Sequence, residues 1–462
     1  MQNPRKLNFK GKEIAVIGAG VEGISSARYL LSKGASVCLL DKKTKSEIGP
    51  ETTGSLEGLG VKFFLGEDYL SDLEDFDLIV RSPGVKPYLP QILRAKQNGV
   101  EVTSQTKLFF DLCPAPIIGV TGTKGKGTTS LLVYEIIKSA GKKVFLGGNI
   151  GKAPLDFLGQ ITSDSWVVLE LSSFQLIDLT RSPHIAVVLM TTVEHLDWHR
   201  NVSEYIKAKE KIVKYQSEKD FIVINGDFPS SKKIGGSSLA KKYYFSTKTP
   251  VQRGAYVDKN FLVLVTNGWT TIVNTAQVQL PGEHNLQNIL AATAVAGILE
   301  IPPDTIAKTV LSFKGLPHRL EFVAEIGGAR YYSDSASTTP ETAIAALKAF
   351  KDPKIIILGG SSKQADFSHL GEEIAKNNVR VVILMGDEAG RIKQAIKTKG
   401  KFPGEIVEGL NTMKEIIQKA KTFSKSGDIV LLSPACASFG MFKNYVDRGD
   451  QFKEAVKSLA KV

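Results

Sequence analysis

Two lysines stand among three glycines in the stretch from Gly122 to Thr129, which reads GTKGKGTT. Glycines allow backbone N–H groups to approach phosphate oxygens closely, and a lysine adds a positive point charge. The hydroxyls of Thr128 and Thr129 directly follow the last glycine. This order of residue types predicts a loop that holds the phosphates of a nucleotide, with Lys126 reaching the β- and γ-phosphates.

The predicted elements on either side of this loop suit a phosphate site. The apolar run 116–120 predicts a short buried strand, and apolar residues at helical spacing after the loop predict a helix that ends at Gly141. The stretch departs from the general phosphate-loop pattern, because Val120 stands at its first glycine and Gly127 at its hydroxyl position. Taken alone, the stretch therefore also fits a basic surface turn.

A second glycine-rich unit lies near the start of the chain. A strand at 13–17, the turn GAGVEG, a helix at 24–33 and a strand that ends in Asp41 fit the dinucleotide-binding fingerprint. By itself this fit indicates an NAD enzyme. The separate nucleotide loop further along the chain, and the lack of a second mononucleotide half after residue 83, favour a Rossmann-like domain that holds the diphosphate of a UDP-sugar.

An acid and a histidine follow apolar runs in the central part of the chain. Glu170 lies near the C-terminal end of the run 166–173, and His195 comes shortly after the run 185–190. An acid in an apolar strand is costly unless it is paired or binds a metal, and ligands bind beyond the carboxyl ends of parallel strands. These positions indicate a magnesium site; a purely structural histidine is the alternative interpretation.

Polar loops follow three predicted strands in the last third of the chain. The strands are predicted at 329–333, 355–358 and 429–432, and the loops read DSASTTP, GGSSK and SPACASF. Each loop alone is an ordinary connection. Together they predict one cleft, because the carboxyl ends of parallel strands lie at the same edge of a sheet.

Composition limits the class of protein. The 462 residues are 42% hydrophobic and 23% charged, which is typical of globular domains, and the length predicts two to four of them. The three cysteines are far apart and predict no disulfide framework, and no apolar run reaches the length of a membrane span. The lysines behind the net charge of +12 are scattered. We therefore predict a cytoplasmic protein without membrane insertion or nucleic-acid partner.

The chain resembles the Mur ligase family over essentially its full length. The segments that carry the resemblance are, in order, GTKGKGTT, GGNIG, ELSSFQL, EHLDWH, YIKAK, GEHNLQN, GLPHRLE, SDSASTTPE, GGSSK and SPACASFGMFKNYVDRG. The resemblance implies a ligase that activates a carboxylate with ATP as an acyl phosphate and then joins it to an amine. It is greatest to family members that add D-glutamate to UDP-N-acetylmuramoyl-L-alanine, and it implies ATP and Mg²⁺ as cofactors and a monomeric enzyme.

The fold that the resemblance implies is α/β in three domains. These are a Rossmann-like UDP-substrate-binding domain at 1–105, a central P-loop ATPase-like domain that binds ATP at 106–314, and a C-terminal Rossmann-like domain that binds the amino acid at 315–462.

The resemblance also implies four groups of site residues. The residues implied at ATP are Gly122, Thr123, Lys124, Gly125, Lys126, Gly127, Thr128, Thr129, Asn285, Asn288, Arg319 and Asp334. The residues implied at the UDP-substrate are Gly20, Val21, Glu22, Asp41, Lys42, Ser82, Asn149 and His195. The residues implied at D-glutamate are Thr338, Lys363, Ser438, Phe439 and Tyr445. The implied metal ligands are Thr128, Glu170, His195 and Lys209, and the implied catalytic residues are Lys126, Glu170, His195 and Lys209.

Lys209 has a special role in this set. The family carries a carbamylated lysine at the last position of the pattern Y-x-x-A-K, which Tyr205, Ala208 and Lys209 match. Carbamylation needs a depressed lysine pKa, which burial or a nearby cation supplies. A surface lysine is the alternative interpretation. Lys124, Gly127 and Ala336 depart from the family pattern, and the resemblance assigns Ala336 no role.

Three other functions remain open at this point. A folylpolyglutamate-synthase-like amide ligase shares the phosphate loop with glycine after the lysine. An NAD-dependent oxidoreductase would use the first glycine turn. A nucleotide-regulated binding protein would use both loops without catalysis.

Overall fold

The computed structural model describes residues 4–192, 194, 198–361, 365–400 and 402–459. His195 and Lys363 lie outside the described residues. The chain divides into two compact units: the first runs to residue 277 and also includes residues 287–311, and the second consists of residues 278–286 and those from 312 onward. Three separate sheets carry the strands.

The first sheet contains five parallel strands in the order β3-β2-β1-β4-β5. Its strands are β1 (Glu13–Ile17), β2 (Ser36–Asp41), β3 (Lys62–Leu65), β4 (Leu78–Arg81) and β5 (Glu101–Ser104). The accompanying helices are α1 (Val21–Ser32), α2 (Lys45–Ile48), α3 (Pro50–Gly58), α4 (Pro90–Gln97) and α5 (Gln105–Leu112). In β1, Ile14 and Val16 enter one apolar core, and Ala15 and Ile17 enter another. The sheet is therefore covered on both faces, as in doubly wound folds.

The second sheet also belongs to the first unit and has nine strands in the order β14-β13-β12-β11-β10-β9-β6-β8-β7. Its strands are β6 (Ile117–Thr121), β7 (Val144–Gly148), β8 (Trp166–Glu170), β9 (Ile185–Val188), β10 (Phe221–Asn225), β11 (Lys241–Ser246), β12 (Gly254–Asp258), β13 (Phe261–Val265) and β14 (Trp269–Asn274). The helices of this part of the chain are α6 (Lys126–Ser139), α7 (Pro154–Phe157), α8 (Ser173–Leu176), α9 (Val202–Lys214), α10 (Pro229–Gly236), α11 (Glu283–Ile298) and α12 (Pro303–Ser312). Only the β12-β13 and β13-β14 pairs are antiparallel.

The third sheet lies in the second unit and has the order β15-β16-β20-β17-β18-β19. Its strands are β15 (Glu321–Ile326), β16 (Ala329–Ser333), β17 (Lys354–Gly359), β18 (Val379–Met385), β19 (Glu405–Val407) and β20 (Ile429–Leu432). Its helices are α13 (Pro340–Lys348), α14 (Ser368–Lys376), α15 (Ala389–Ala395), α16 (Met413–Phe423) and α17 (Tyr445–Leu459). All strand pairs except β15-β16 are parallel.

The predicted α/β class is confirmed, and the prominent apolar runs form strands close to the predicted positions. Helix α1 begins at Val21 rather than at residue 24, because the turn already supplies its N-cap at Gly20. Helix α11 begins at Glu283, so Asn285 and Asn288 both lie inside it rather than at its N-terminal cap. None of the helices in the described part of the chain combines the length and apolar character needed to cross a bilayer.

Candidate active site

The phosphate loop connects β6 to α6 as the sequence predicts. All five residues of β6 are buried, and α6 begins at Lys126 with Gly125 as its N-cap. Gly125 has φ +87°, and a Cβ at this position would come within 2.1 Å of Oδ1 of Asn288. Thr129 is buried, and its hydroxyl donates to the same Asn288 oxygen over 3.3 Å. Glycine is required here by backbone conformation and by the close approach of the asparagine.

The two lysines of the loop have different surroundings. Nζ of Lys126 donates to the carbonyl oxygens of Gly122 and Thr123 over 3.2 and 3.1 Å. Lys124 points outward, with 56% of its side chain exposed, and its Nζ lies 3.0 Å from Oε1 of Glu194. Lys126 therefore packs against the loop itself, while Lys124 forms a surface ion pair.

Lys209 approaches the same loop from helix α9. The lysine is 2% exposed, and its Nζ donates to the carbonyl oxygen of Gly122 over 2.9 Å. The pKa of Lys209 is lowered to about 7, chiefly by burial and also by the charge of Lys126, while Glu194 acts in the opposite direction. The interpretation of Lys209 as a surface lysine is therefore wrong. Its neighbour Tyr205 shares a 3.1 Å hydrogen bond with the hydroxyl of Thr123.

Glu170 lies at the carboxyl end of β8, as expected from its position in an apolar run. The residue is 4% exposed, and its Oε1 accepts a 2.9 Å hydrogen bond from Nδ2 of Asn149. The backbone N–H of Asn149 also donates to the carbonyl oxygen of Glu170 over 2.9 Å. Within the described residues, no group of three His, Cys, Asp or Glu side chains forms a metal cluster. A buried carboxylate whose hydrogen-bond partner is a neutral amide nonetheless fits a cation that prefers oxygen ligands.

A cavity of about 570 Å³ opens at the glycine turn of the first sheet. The predicted UDP-site residues that line it are Gly20, Val21, Glu22, Asp41, Lys42 and Ser82. The oxygens of Asp41 accept hydrogen bonds from the backbone N–H groups of Ala19 and Lys43, over 2.7 and 2.9 Å. Asp41, the acid of the dinucleotide fingerprint, therefore stabilises the glycine turn through hydrogen bonds within the protein.

Glu22 carries the most perturbed carboxyl group of this cavity. Burial raises the pKa of Glu22 to about 7, against weaker lowering by a hydrogen bond from Gln175 and by the charge of Arg81. Gln175 follows β8 in helix α8, so this contact joins the first two sheets, which belong to one unit. The sequence predicts Glu22 in the site but gives no sign of its protonation.

Arg81 is a functional candidate that the sequence analysis missed. Its side chain is fully buried; Nη1 donates to the carbonyl oxygen of Ser82 over 3.0 Å, and Nη2 pairs with Asp178. The guanidinium also lies 5.9 Å from the ring centre of Trp198. Arg81 thereby holds the loop beside the cavity against the segment that follows Glu170. A charged residue at the end of the buried run LIVR was the signal for it.

In the second unit, three loops meet as predicted, because β16, β20 and β17 are neighbours in the sheet. Asp334 accepts hydrogen bonds from the hydroxyls of Ser337 and Ser433. Burial raises the pKa of Asp334 to about 6, although these hydroxyls lower it. The backbone N–H of Ser361 donates to the carbonyl oxygen of Ala437 over 3.0 Å, which joins the loops after β17 and β20.

The predicted amino-acid site lies among these loops. Ser438 is buried, whereas Phe439 and Tyr445 are 64% and 44% exposed. Arg448 is fully buried and donates to the carbonyl oxygens of Ser335 and Ala437, which fixes the backbone next to Ser438. Among the predicted ATP residues of this unit, Arg319 is exposed, and Asn285 donates from Nδ2 to the carbonyl oxygen of Pro281 over 2.7 Å.

Besides the cavity lining already described, two further groups of predicted residues are brought together, one within each unit. The group in the first unit consists of Gly122, Thr123, Lys124, Gly125, Lys126, Gly127, Thr128, Thr129, Asn149, Glu170, Lys209 and Asn288. The group in the second unit consists of Arg319, Asp334, Thr338, Ser438, Phe439 and Tyr445. Their roles remain predictions.

Family models match three consecutive parts of the chain. A MurD-like N-terminal domain matches residues 12–104, a Mur ligase middle domain matches 120–296, and a Mur ligase glutamate ligase domain matches 318–436. The chain is 40% identical over 462 residues to the UDP-N-acetylmuramoylalanine–D-glutamate ligase of Acetivibrio thermocellus, covering 99% of this chain and 98% of the relative. The identically named protein of Ruminiclostridium cellulolyticum is 39% identical, with 98% of each chain covered.

Solved structures of low sequence identity share the fold. MurF from Acinetobacter baumannii aligns with a TM-score of 0.60 at 14% identity, covering 96% of this chain and 93% of that one. The UDP-N-acetylmuramate-alanine ligase MurC from Thermotoga maritima aligns with a TM-score of 0.57 at 19% identity, covering 97% and 99%. The predicted three-domain fold class is confirmed, and the full-length relatives support the ligase interpretation over its alternatives. The chain belongs to the Mur ligase family.

Proposed function

We propose that the chain joins D-glutamate to UDP-N-acetylmuramoyl-L-alanine at the expense of ATP, in cytoplasmic peptidoglycan precursor synthesis. The observation that carries this proposal is the 40% identity, over nearly the full length of both chains, to a ligase named for that reaction. The buried Lys209 beside the phosphate loop supports the chemistry, because a neutral amine at this point suits carbamylation. The enzyme works as a monomer in this proposal, with domains at 1–105, 106–314 and 315–462.

The substrate carboxylate must be activated, because its negative charge repels the lone pair of the incoming amine. Transfer of the γ-phosphoryl group of ATP to the carboxylate gives an acyl phosphate, and phosphate then leaves when the amine of D-glutamate attacks. The protein contributes position and fixed charge more than covalent chemistry. Lys126 and the N–H groups at the start of α6 hold the phosphates, and Asn149 orients Glu170 beside the reacting end of the UDP-substrate.

Thr128, Glu170, His195 and a carbamylated Lys209 would hold Mg²⁺. The metal, when bound, supplies positive charge against the phosphates. Carbamylation forms an N–C bond between neutral Nζ of Lys209 and carbon dioxide and releases one proton, so the neutral amine becomes an anionic carbamate. The lowered pKa of Lys209, about 7, leaves a large neutral fraction at physiological pH.

D-glutamate occupies the loops of the second unit in this proposal. Thr338 and Lys363 bind its α-carboxylate, and Ser438, Phe439 and Tyr445 surround its side-chain carboxylate. Both carboxylates exchange water for fixed donors, and an apolar side chain would leave those donors unpaired. The enzyme should therefore prefer D-glutamate to D-alanine or a diamino acid.

Steady-state phosphate release from ATP tests the proposal. We expect release to require UDP-N-acetylmuramoyl-L-alanine and D-glutamate together, and product mass to equal their sum less one water. Release with D-alanine at the same kcat/KM, or with a folate in place of the UDP-substrate, would contradict it. Lys363→Ala should raise the KM for D-glutamate far more than the KM for ATP; a defect confined to ATP would show that the amino-acid pocket is wrongly placed.

A further inference from the structure

Thr123, the second residue of the phosphate loop, has its polar groups engaged within the protein. Its backbone N–H donates to the carbonyl oxygen of Met190 over 2.7 Å. Its hydroxyl donates to the carbonyl oxygen of Thr192 over 2.8 Å and accepts from the backbone N–H of Thr192, also over 2.8 Å. Its carbonyl oxygen accepts a 3.1 Å hydrogen bond from Nζ of Lys126. These contacts tie the start of the loop to the segment that follows β9.

The remaining hydroxyl contact of Thr123 identifies Tyr205 as a hydrogen-bond donor. Tyr205 lies in α9, is 1% exposed, and places its hydroxyl oxygen 3.1 Å from that of Thr123. A hydroxyl group has one proton and two acceptor positions. The Thr123 proton is directed at the carbonyl oxygen of Thr192, which can only accept, so the phenol of Tyr205 donates. With two bonds accepted and one donated, the Thr123 hydroxyl has no capacity left for a nucleotide.

Helix α9 therefore holds the loop at two adjacent residues. Tyr205 and Lys209 are four positions apart and lie on the same face of the helix. Nζ of Lys209 donates to the carbonyl oxygen of Gly122 over 2.9 Å, while Tyr205 donates to the hydroxyl of Thr123. Nζ of Lys126 donates to the carbonyl oxygens of the same two loop residues. The backbone of these two residues is thus the support against which both lysines are placed.

We propose that Tyr205 and Thr123 are positioning residues, and that the hydrogen bond between their hydroxyls fixes Lys126 and Lys209 relative to each other for phosphoryl transfer. Thr123 then contributes to the reaction without contacting ATP, although the resemblance to the family implies it at ATP. The inference rests on the proposed function, because it takes the two lysines to act together on the phosphates and the metal.

Geometry explains why this bond should matter more for turnover than for nucleotide binding. The backbone N–H groups at the start of α6 can hold phosphates even when the first two loop residues shift. Phosphoryl transfer is more sensitive, since a misplacement of about 1 Å can cost about 10²-fold in rate. Carbamylation leaves Nζ of Lys209 with one hydrogen and a planar geometry, but it does not alter the phenol of Tyr205. The bond from Tyr205 is therefore available in both states of the lysine.

Removal of each hydroxyl from the full-length protein tests the proposal. Tyr205→Phe and Thr123→Val should each lower kcat for phosphate release about tenfold or more. Tyr205→Phe should add at most about twofold to the loss caused by Thr123→Val, since the bond between the two residues is then already broken. Calorimetric titration with ADP and Mg²⁺ should give dissociation constants within about threefold of the wild-type value for all these variants.

Two further variants separate positioning from folding. Thr123→Ser restores the hydroxyl and should recover most of the activity that Thr123→Val loses. Tyr215→Phe removes a phenol at the other end of α9, which accepts a 2.9 Å hydrogen bond from Lys211, and should keep kcat within about twofold. Thermal unfolding of each variant checks the fold. If Thr123→Val fails to fold, kcat and ADP affinity of Tyr205→Phe decide, because that change deletes a single oxygen atom.

Three results would overturn the proposal. About tenfold weaker ADP binding by Thr123→Val, with Tyr205→Phe unaffected, would show that the Thr123 hydroxyl contacts the nucleotide. Losses in kcat that multiply in the double variant would mean that the two hydroxyls act independently. A kcat within about twofold of wild type in both single variants would show that neither hydroxyl positions the lysines.

Failure of the proposed function would look different. Wild-type protein that binds ADP but releases no phosphate with UDP-N-acetylmuramoyl-L-alanine and D-glutamate would contradict the ligase itself. The ADP affinities of Thr123→Val and Tyr205→Phe would still decide whether Thr123 contacts the nucleotide.

Discussion

The two glycine loops of the first unit have the same local construction, but one carries a buried acid and the other faces a buried base. Each follows a parallel strand and precedes a helix whose N-cap is glycine, Gly20 in one and Gly125 in the other. The first loop carries Glu22, with its pKa raised to about 7, and the second faces Lys209, with its pKa lowered to about 7. In both cases burial is the largest cause.

At both sites, therefore, the loss of hydration on burial shifts the pKa more than the neighbouring charges and the helix N-terminus do. A helix N-terminus favours an anion by about 1 kcal/mol or less at an exposed position, and burial costs an ionised group more. The consequences for stability fall in adjoining pH ranges. The folded protein retains the Glu22 proton between pH 4.5 and about 7, so stability falls with rising pH there. It lacks the Lys209 proton between about 7 and 10.5, so stability rises with pH there.

The largest effect should come from removing the charge of Lys126 in the second loop, which has no counterpart in the first loop. Lys126→Ala should lower kcat by at least about 10³-fold, because its charge stabilises the transferring phosphoryl group. Lys124→Ala, the matched change two residues earlier, removes an exposed ion pair with Glu194 and should change stability by less than ~1 kcal/mol. Phosphate release measures activity and thermal unfolding measures folding. Equal activity losses in both variants would contradict the distinction between the lysines.

The next effect concerns the neutral lysine. Lys209→Ala should lower kcat by about 10²-fold or more, and acetate or propionate should restore part of the activity by replacing the carbamate oxygens. Lys207, two positions earlier in α9, is exposed and provides the control variant Lys207→Ala. ¹³C-bicarbonate NMR of the wild type should show a carbamate signal. Full activity of Lys209→Ala without added carboxylate would reduce Lys209 to a structural residue.

The buried acid should reveal itself in stability rather than in turnover. Glu22→Gln should gain free energy of unfolding relative to wild type as pH rises from 4.5 to 7, by up to ~3 kcal/mol, since only the wild type has a carboxyl that stays protonated in the folded state and ionises in the unfolded state. Urea unfolding at pH 5 and pH 8 measures this difference. A constant difference between the two proteins over this range would show that Glu22 titrates normally.

The smallest effects distinguish the two helix caps. Gly125→Ala should lower stability by ~2 kcal/mol, because its φ is +87° and the new Cβ would lie 2.1 Å from Asn288. Gly20→Ala should cost less than ~1 kcal/mol, because φ is −80° and no atom lies within 4 Å of the Cβ position. Thermal unfolding checks both changes. Similar losses would mean that both loops demand glycine for the same backbone reason.

The amino-acid sequence by itself determined the loops, the α/β class and the family. The glycine spacing of both turns depends on local conformation, and the apolar runs around them form parallel strands because both of their faces are buried. The motifs therefore located Lys126, Glu170 and Asp334 on the correct loops and strand ends. The tests of their chemical roles remain those given above.

Only the tertiary structure decided the protonation and the contacts of those residues. The pKa of Glu22 depends on burial and on a hydrogen bond from Gln175, more than 150 residues away, and that of Lys209 depends on burial and on the charge of Lys126. Arg81 acquires its role through Asp178, and the three loops of the second unit meet because β20 inserts between β16 and β17. Desolvation and strand order arise from long-range packing, so no local pattern in the sequence specifies them.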